Sequence, residues 1–287
     1  MKKIFGLLLL FVFVFTACTD DNEVVYIKKQ IDEDVSEMRV HYLNLENGKC
    51  TFFELPNGEC MMIDTGATED FPVVYEYLKN LGIKTVDYIV ITSNDSYHLG
   101  GAKKIIQNFK VQQIHVSKSI RNKKLYQSTA DEAVANRCRI YTEEGGNEIL
   151  TDKNLNITVA GPIYENYDDS ADFSLSVMVS YGNTDFLSEG DCGSKSENDM
   201  LESIGKYLKS DVLSVPNSAS GLTASSAFLQ KVSPRYAVIQ VFGGNSPQST
   251  VLKTFEALGI YVLRTDVNGN IVITSNSKEI ADIKTEG

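Results

Sequence analysis

Residues 86–109 place an apolar run, a polar loop and a helix in an order that restricts the fold more than any other stretch. The run VDYIVI is followed by the loop TSNDSYHLGG and then by the helical segment AKKIIQNF. The loop carries one histidine and enters the helix through two glycines, which suits a loop that holds a ligand at a strand end. The question this stretch raises is whether the loop is a working metal site or the remains of one.

Hairpin strands and strand–helix–strand units alternate along the rest of the chain. MRVHYLNLENG, KCTFFEL and ECMMID are predicted strands, and FPVVYEYLKNLG is a predicted helix whose spacing places Phe71, Val74, Tyr75 and Leu78 on one face. YVLRTD and GNIVITSN are predicted to end the chain as paired strands. Strands in both hairpins and crossovers predict a mixed α/β fold with two mixed β-sheets flanked by helices, in one domain over residues 38–287.

The first 17 residues have the features of a secretory leader. Two lysines precede the apolar run IFGLLLLFVFVF, which is too short to span a bilayer, since about 20 residues are needed. The segment FTAC, residues 15–18, resembles a bacterial lipobox and predicts a lipid on Cys18; an ordinary secretory leader with a chance cysteine is the alternative. Residues 18–37 form an acidic flexible tether, which resembles the segment that sends some lipoproteins to the cell surface. We therefore expect an extracytoplasmic protein anchored to the membrane through Cys18.

The net charge argues against a nucleic-acid partner. Loss of Lys2 and Lys3 with the leader leaves 25 of the 27 basic side chains against 38 acidic ones, a net charge of −13. A field of that sign repels nucleic acid at long range and opposes binding that depends on phosphate contacts.

Four cysteines remain once Cys18 is set aside: Cys50, Cys60, Cys138 and Cys192. An even number outside the cytoplasm favours disulfides, whereas their spacing favours buried free thiols. The Asn57-Gly58 dipeptide predicts a two-residue hairpin turn that would place Cys50 and Cys60 on opposite faces of the ribbon, so we expect no bond between them.

Several stretches resemble, in order and spacing, the metallo-β-lactamase-fold hydrolases, and in particular the extracytoplasmic hydrolase domain of ComEC-type DNA-uptake proteins. They are MRVHYLNLENG, ELPNGECMMIDTGA, DYIVITSNDSYHLGGAKKII, FLSEGD, SDVLSVPNSASG, PRYAVIQVFGGN and VLRTDVNGNIVIT. The resemblance covers residues 38–276 and implies a four-layer αββα sandwich. It also implies loops at the strand ends that bind one or two metal ions, usually zinc, whose bound water acts as the nucleophile.

The metal signature of that family is only partly present. Its HxHxDH motif, in which the ComEC-like branch has Asp for the second His, falls on SNDSYH at residues 93–98. Asp95 and His98 match, whereas Ser93 and Tyr97 stand where ligands are expected. The family's Gly-Asp pair matches at Asp191, which completes the candidate set for a metal.

Other family ligands are replaced by residues that bind metal poorly. A later loop with two histidines falls on residues 216–220, where this chain has Asn217 and Ser218 instead. Asp64 in IDTG supports loops in the family rather than binding metal. Catalytic zinc sites have three protein ligands and favour imidazole, so Asp95, His98 and Asp191 are a poor set for zinc.

Two hypotheses follow. In the first, the protein is a lipid-anchored pseudoenzyme that needs no cofactor and uses the former cleft, rimmed by Asp95, Tyr97, His98, Asp191, Asn217 and Ser218, to bind a ligand or a protein partner. In the second, Asp95, His98 and Asp191 hold one divalent ion, such as Zn, Mn or Mg, and the protein is a single-metal hydrolase of phosphodiester or related bonds.

Overall fold

The computed structural model describes residues 36–118, 123–219 and 223–286, except for the side chain of Asn217. The expected leader, Cys18 and most of the expected tether lie outside these ranges. The strands of the described residues are β1 (Met38–Tyr42), β2 (Thr51–Glu54), β3 (Cys60–Ile63), β4 (Thr85–Ile91), β5 (Lys110–Ser117), β6 (Arg139–Glu143), β7 (Glu148–Asp152), β8 (Leu155–Gly161), β9 (Ser176–Tyr181), β10 (Thr184–Glu189), β11 (Val212–Ser214), β12 (Tyr236–Ile239), β13 (Tyr261–Arg264), β14 (Ile271–Ser275) and β15 (Ile280–Thr285).

The helices lie outside the sheets. They are α1 (Phe71–Asn80), α2 (Ser96–Leu99), α3 (Ala102–Asn108), α4 (Lys123–Ala135), α5 (Ser194–Ile204), α6 (Ser226–Val232), α7 (Ser249–Ala257) and α8 (Thr265–Asn268), with 3₁₀ turns at Ser170–Phe173, Gly205–Tyr207 and Pro216–Ala219. No helix in the described ranges has the length and apolar character needed to cross a bilayer.

Two mixed sheets form the centre of the molecule, as predicted. One runs in the order β15-β14-β1-β2-β3-β4-β5-β6 and the other in the order β13-β12-β11-β10-β9-β8-β7. In each, one half is antiparallel, and the other half is parallel, β3 to β6 in the first sheet and β10 to β13 in the second.

Alternation along the strands builds three apolar layers. In β3, Met61 and Ile63 belong to the core between the two sheets, whereas Met62 belongs to the core under α1 and α3. A third apolar cluster packs Met200 of α5, Phe228 of α6 and other helical residues on the far face of the second sheet. The result is the expected αββα sandwich.

Two predicted strand pairings are wrong. β13 pairs with β12 in the second sheet while β14 pairs with β1 in the first, because α8 intervenes and carries the chain from one sheet to the other. In the first hairpin, the predicted two-residue turn at Asn57-Gly58 implies that Leu55 pairs with Cys60, but Cys60 pairs with Glu54. The loop is longer than two residues and closes with a bond from the Leu55 N–H to the Glu59 carbonyl.

That register changes the interpretation of the cysteines. Cys50 and Cys60 both pack against the core under α1 rather than on opposite faces. In this structure Cys50, Cys60, Cys138 and Cys192 are free thiols.

Candidate functional site

The carboxyl ends of the parallel strands bring the candidate residues together. Asp64 follows β3, the loop with Asp95 and His98 follows β4, and Asp191 follows β10 of the other sheet. Loops at this edge are where open α/β sheets usually form their binding sites. Side-chain atoms of Asp95, His98 and Asp191 all lie within 4.8 Å of one another, so the three predicted residues converge.

Asp95 is fixed by the start of a short helix. It is the N-cap of α2, and its Oδ1 accepts the N–H groups of Tyr97 at 2.9 Å and of His98 at 3.2 Å. Its Oδ2 accepts a hydrogen bond from the Ser93 hydroxyl at 2.8 Å. Burial raises the pKa of Asp95, but the contacts with His98 and Ser93 outweigh burial and lower it to about 2. Ser93 therefore orients an ionised carboxylate.

The imidazole of His98 lies between two carboxylates and is fully buried. Its Nδ1 is 2.8 Å from Asp95 Oδ1, and its Nε2 is 3.3 Å from Asp191 Oδ1. Burial opposes a charge on the ring, but the carboxylates of Asp191 and Asp64 outweigh burial and hold the pKa of His98 well above its usual value. A carboxylate oxygen thus lies within 3.3 Å of each ring nitrogen.

Asp64 lies beside His98 and binds the residue at the start of the loop after β4. Its backbone has a φ of 61°, and its carboxylate accepts the Thr92 N–H at 2.8 Å and the Thr92 hydroxyl. Thr92 also explains the glycine of the Gly-Asp pair, because a Cβ on Gly190 would lie 2.6 Å from the Thr92 side chain. Asp64 thereby joins β3 to the loop after β4, and its Oδ2 lies 4.0 Å from His98 Nε2.

Lys49 brings a buried amine to the edge where the two sheets meet, and the sequence analysis missed it. It is 1% exposed and is the one buried lysine or arginine among the described residues. Its Nζ donates to the Glu189 carbonyl oxygen at 2.5 Å. Burial lowers the pKa of Lys49, whereas the charges of Asp64 and Asp191 oppose that change.

The backbone around Lys49 is held tightly against the site loops. The Lys49 N–H donates to the Tyr97 carbonyl at 3.0 Å, and the Lys49 carbonyl accepts the Gly66 N–H at 2.8 Å. A Cβ on the preceding Gly48 would lie 2.3 Å from the Tyr97 carbonyl oxygen and 2.4 Å from the Ala67 nitrogen. Only glycine allows this close approach, which holds the segment of Lys49 against the loops of Gly66 and Tyr97.

An aromatic side chain that the sequence analysis also missed covers the imidazole. Phe242 is 6% exposed and packs edge-on against His98, with ring centroids 6.2 Å apart. The Phe242 ring also contacts the Tyr97 ring, with the two ring centroids 5.9 Å apart. Tyr97 is itself 49% exposed, so it stands at the cleft mouth, and Phe242 fills the space above the histidine.

The loop that replaces the family's histidines has a structural role. The Ser218 hydroxyl donates to the Gln240 carbonyl at 2.8 Å, and Ser218 has a φ of 51°. The Gln240 side chain in turn donates to the Cys50 carbonyl at 2.7 Å and accepts from the Thr51 hydroxyl. Gln240 thus links β2 of the first sheet to the end of β12. Asn217 lies in the same 3₁₀ turn, with its side chain outside the described part.

Tested on these contacts, the residues do not fit a two-metal centre. The Nδ1 of His98 is hydrogen-bonded to Asp95, whereas its Nε2 is buried and makes no hydrogen bond with any described residue. This histidine therefore offers one nitrogen, and a two-metal centre needs more ligands than that nitrogen and the nearby carboxylates supply. The carboxylates of Asp64, Asp95 and Asp191 lie around the one imidazole, at 4.0, 2.8 and 3.3 Å from its nitrogens. Such a set suits an oxygen-preferring ion better than zinc.

The four αββα layers and the site at the edge of the two sheets define the class of protein to which this chain belongs. Comparisons with known proteins identify the family within that class. The sequence pattern of the metallo-beta-lactamase superfamily matches residues 43–243, and the chain belongs to this superfamily.

Relatives and solved structures agree with that assignment. The chain is 25% identical over 260 residues, 82% of its length, to ComE operon protein 3 of Bacillus subtilis (strain 168), of which it covers 33%. It is 34% identical over 108 residues, 37% of its length, to Competence protein ComA of Neisseria gonorrhoeae, of which it covers 16%. The chain therefore spans a third or less of these relatives. The metallo-beta-lactamase fold protein YhfI from Bacillus subtilis superposes with a TM-score of 0.56 and 9% identity, over 83% of this chain and all of YhfI, which shows the shared fold.

Proposed function

We propose that this protein is a non-catalytic member of the superfamily, a lipid-anchored extracytoplasmic accessory protein that binds a ligand or a protein partner. The observation that carries the proposal is the position of His98, with Asp95 2.8 Å from one ring nitrogen and Asp191 3.3 Å from the other. With Asp95 bonded to Nδ1, one imidazole nitrogen and two carboxylates remain, which is a poor set for the zinc centre of a hydrolase.

The proposed partner is a protein rather than nucleic acid. The net charge of −13 expected for the mature chain opposes phosphate contacts. The two relatives carry names that refer to the ComE operon and to competence, and we propose an accessory role in a related process. Attachment through Cys18 would place the domain at a membrane, where a partner could reach Tyr97 at the mouth of the former cleft.

One observation favours a second function, a single-metal phosphodiesterase. The side-chain atoms of Asp95, His98 and Asp191 already lie within 4.8 Å of one another, close enough for a small rearrangement to enclose one ion. In that case Mn or Mg, which prefer oxygen ligands, would be better suited than zinc.

An assay for hydrolysis of bis-p-nitrophenyl phosphate distinguishes the two proposed functions. It uses the purified protein with added Zn, Mn or Mg. The non-catalytic proposal predicts that wild type and His98→Ala both match a buffer blank with each metal. Metal-dependent turnover in wild type that His98→Ala abolishes would establish the second function instead. A His98→Gln variant, which keeps a polar side chain in the same space, guards against a misfolded alanine variant.

A further inference from the structure

We infer that the edge strand β13 pairs with β13 of a second copy of this chain, so that the second sheet continues across a two-fold axis. The inference goes beyond the proposed function, because it concerns a surface outside the cleft and holds whether or not the cleft binds metal.

The first argument is that β13 lacks the charges that protect the other sheet edges. The two sheets end in four edge strands, β15, β6, β13 and β7. Three of them carry two charged residues each: Asp282 and Lys284 on β15, Arg139 and Glu143 on β6, and Glu148 and Asp152 on β7. The fourth, β13, has the sequence YVLR, with one charge at its end. Charged side chains on an edge strand oppose pairing with another strand, and an apolar edge permits it.

The second argument is the apolar surface beside β13. Tyr261 of this strand is 71% exposed, and Val267 of α8 is 62% exposed. A groove of about 440 Å³ between β13 and α7 has apolar walls from Leu252, Ile260 and Val262. Apolar side chains that gather at one edge of a protein are typical of a surface that binds another chain.

The third argument is the direction of the backbone polar groups. The Tyr261 N–H donates to the Arg235 carbonyl at 3.0 Å, so the polar groups of Tyr261 face β12. These groups alternate in direction along a strand, and those of Val262 therefore face away from β12. The Arg264 N–H points the same way as that of Val262, but the Asn268 side chain accepts it at 2.9 Å. Val262 is thus the residue about which two copies can pair, with each Val262 bonded to the other.

The fourth argument is that this pairing is complementary in charge. The groove is lined at alternate strand positions by Ile260, Val262 and Arg264, together with Glu256 of α7. An antiparallel register centred on Val262 places Arg264 opposite the partner's Ile260, beside the partner's Glu256. Arg264 contacts Asp266 through Nε and Nη2, which leaves Nη1 for a second carboxylate. The ion pair forms twice, because a two-fold interface uses the same surface on both copies.

Sedimentation velocity of the purified full chain over a roughly hundredfold range of concentration tests the pairing. The wild type should shift from one chain to two as the concentration rises. Val262→Lys places a charge on the edge and should remain a monomer at each concentration. Val134→Lys is the matched control, since it adds the same charge at a valine of α4 that is 74% exposed, and it should dimerise like the wild type. Association through a lipid on Cys18 would be equal in all three proteins.

Cysteine cross-linking tests the register by a second route, without a charge at the edge. In the inferred pairing the two Val262 Cα atoms are about 5.5 Å apart, which is within the range of a disulfide. Val262→Cys should therefore form a covalent dimer under mild oxidation, seen on a non-reducing gel, and Val134→Cys should not. Leu263→Cys should also stay monomeric, because Leu263 lies opposite the partner's Tyr261.

Three results would overturn the inference and leave the proposed function standing. The first is a wild type that stays monomeric at each concentration, or a dimer that Val262→Lys leaves unchanged. The second is a cross-link in Leu263→Cys but not in Val262→Cys, which would show a different register. The third is a monomer in which hydrogen exchange at the Val262 amide is slow, which would show that another segment of the same chain covers this edge.

Discussion

Replacement of Asp95 by asparagine isolates the charge that holds His98. Asparagine has nearly the same shape, and its Oδ1 can still accept the N–H groups that begin α2. What it loses is the negative charge 2.8 Å from His98 Nδ1. The pKa of Asp95 is lowered from 3.8 to about 2, a difference that corresponds to about 2.4 kcal/mol of folding free energy at pH 7.

The sign of the pH dependence follows from the lowered pKa. The contribution of ionised Asp95 is complete above the unfolded value of 3.8 and is lost as the pH falls through about 2. Urea unfolding of wild type and Asp95→Asn should therefore differ by about 2.4 kcal/mol at pH 7 and by about 1.3 kcal/mol at pH 3.

An exposed carboxylate provides the control for that experiment. Asp282→Asn on β15 also removes one negative charge, but at the surface, and should change the unfolding free energy by less than about 0.5 kcal/mol. Equal stability of wild type and Asp95→Asn at pH 7, or a difference that does not narrow at pH 3, would refute the role assigned to the Asp95 carboxylate.

Three further substitutions test the surroundings of the site. Glu197 is a buried residue of α5 that lies near Glu189 and Cys192. Burial raises its pKa from 4.5 to about 7, so the folded state holds a proton that the unfolded state releases, and stability should fall by up to about 3 kcal/mol between pH 4.5 and 7. Urea unfolding of Glu197→Gln at several pH values should show a smaller fall in stability over this range. An unchanged dependence of stability on pH would contradict the raised pKa of Glu197. Phe242→Ala should lower the free energy of unfolding by about 3 kcal/mol, because it leaves a cavity next to His98. Tyr97→Ala, at the half-exposed cleft mouth, should lower it by under about 1 kcal/mol. Equal losses would show that Phe242 does not shield His98 from solvent.

Local patterns were sufficient for most of the fold. The period of two in ECMMID and the helical spacing of FPVVYEYLKNLG reflect which face each residue buries, and the structure places Met62, Val74 and Leu78 in the same apolar layer. The two wrong strand pairings arose where local signals were weakest, at a turn with several allowed lengths and at the passage from one sheet to the other.

The site was predicted only as far as sequence motifs reach. Asp95 and His98 are three residues apart, and their contact follows from the start of α2. Lys49 and Glu189 are 140 residues apart in sequence, and nothing in the segment NGKC indicates that its lysine crosses to the other sheet. Phe242 was missed for the same reason, since its contact with His98 depends on the packing of two distant loops.

Elemental analysis tests the central claim, that this member of the superfamily has lost metal binding at its site. The mature protein would be purified without chelator from medium supplemented with zinc and manganese, and its metal content would be measured per chain. The account predicts a content far below one ion per chain, unchanged in His98→Ala. One or more ions per chain in the wild type, lost in His98→Ala, would contradict it.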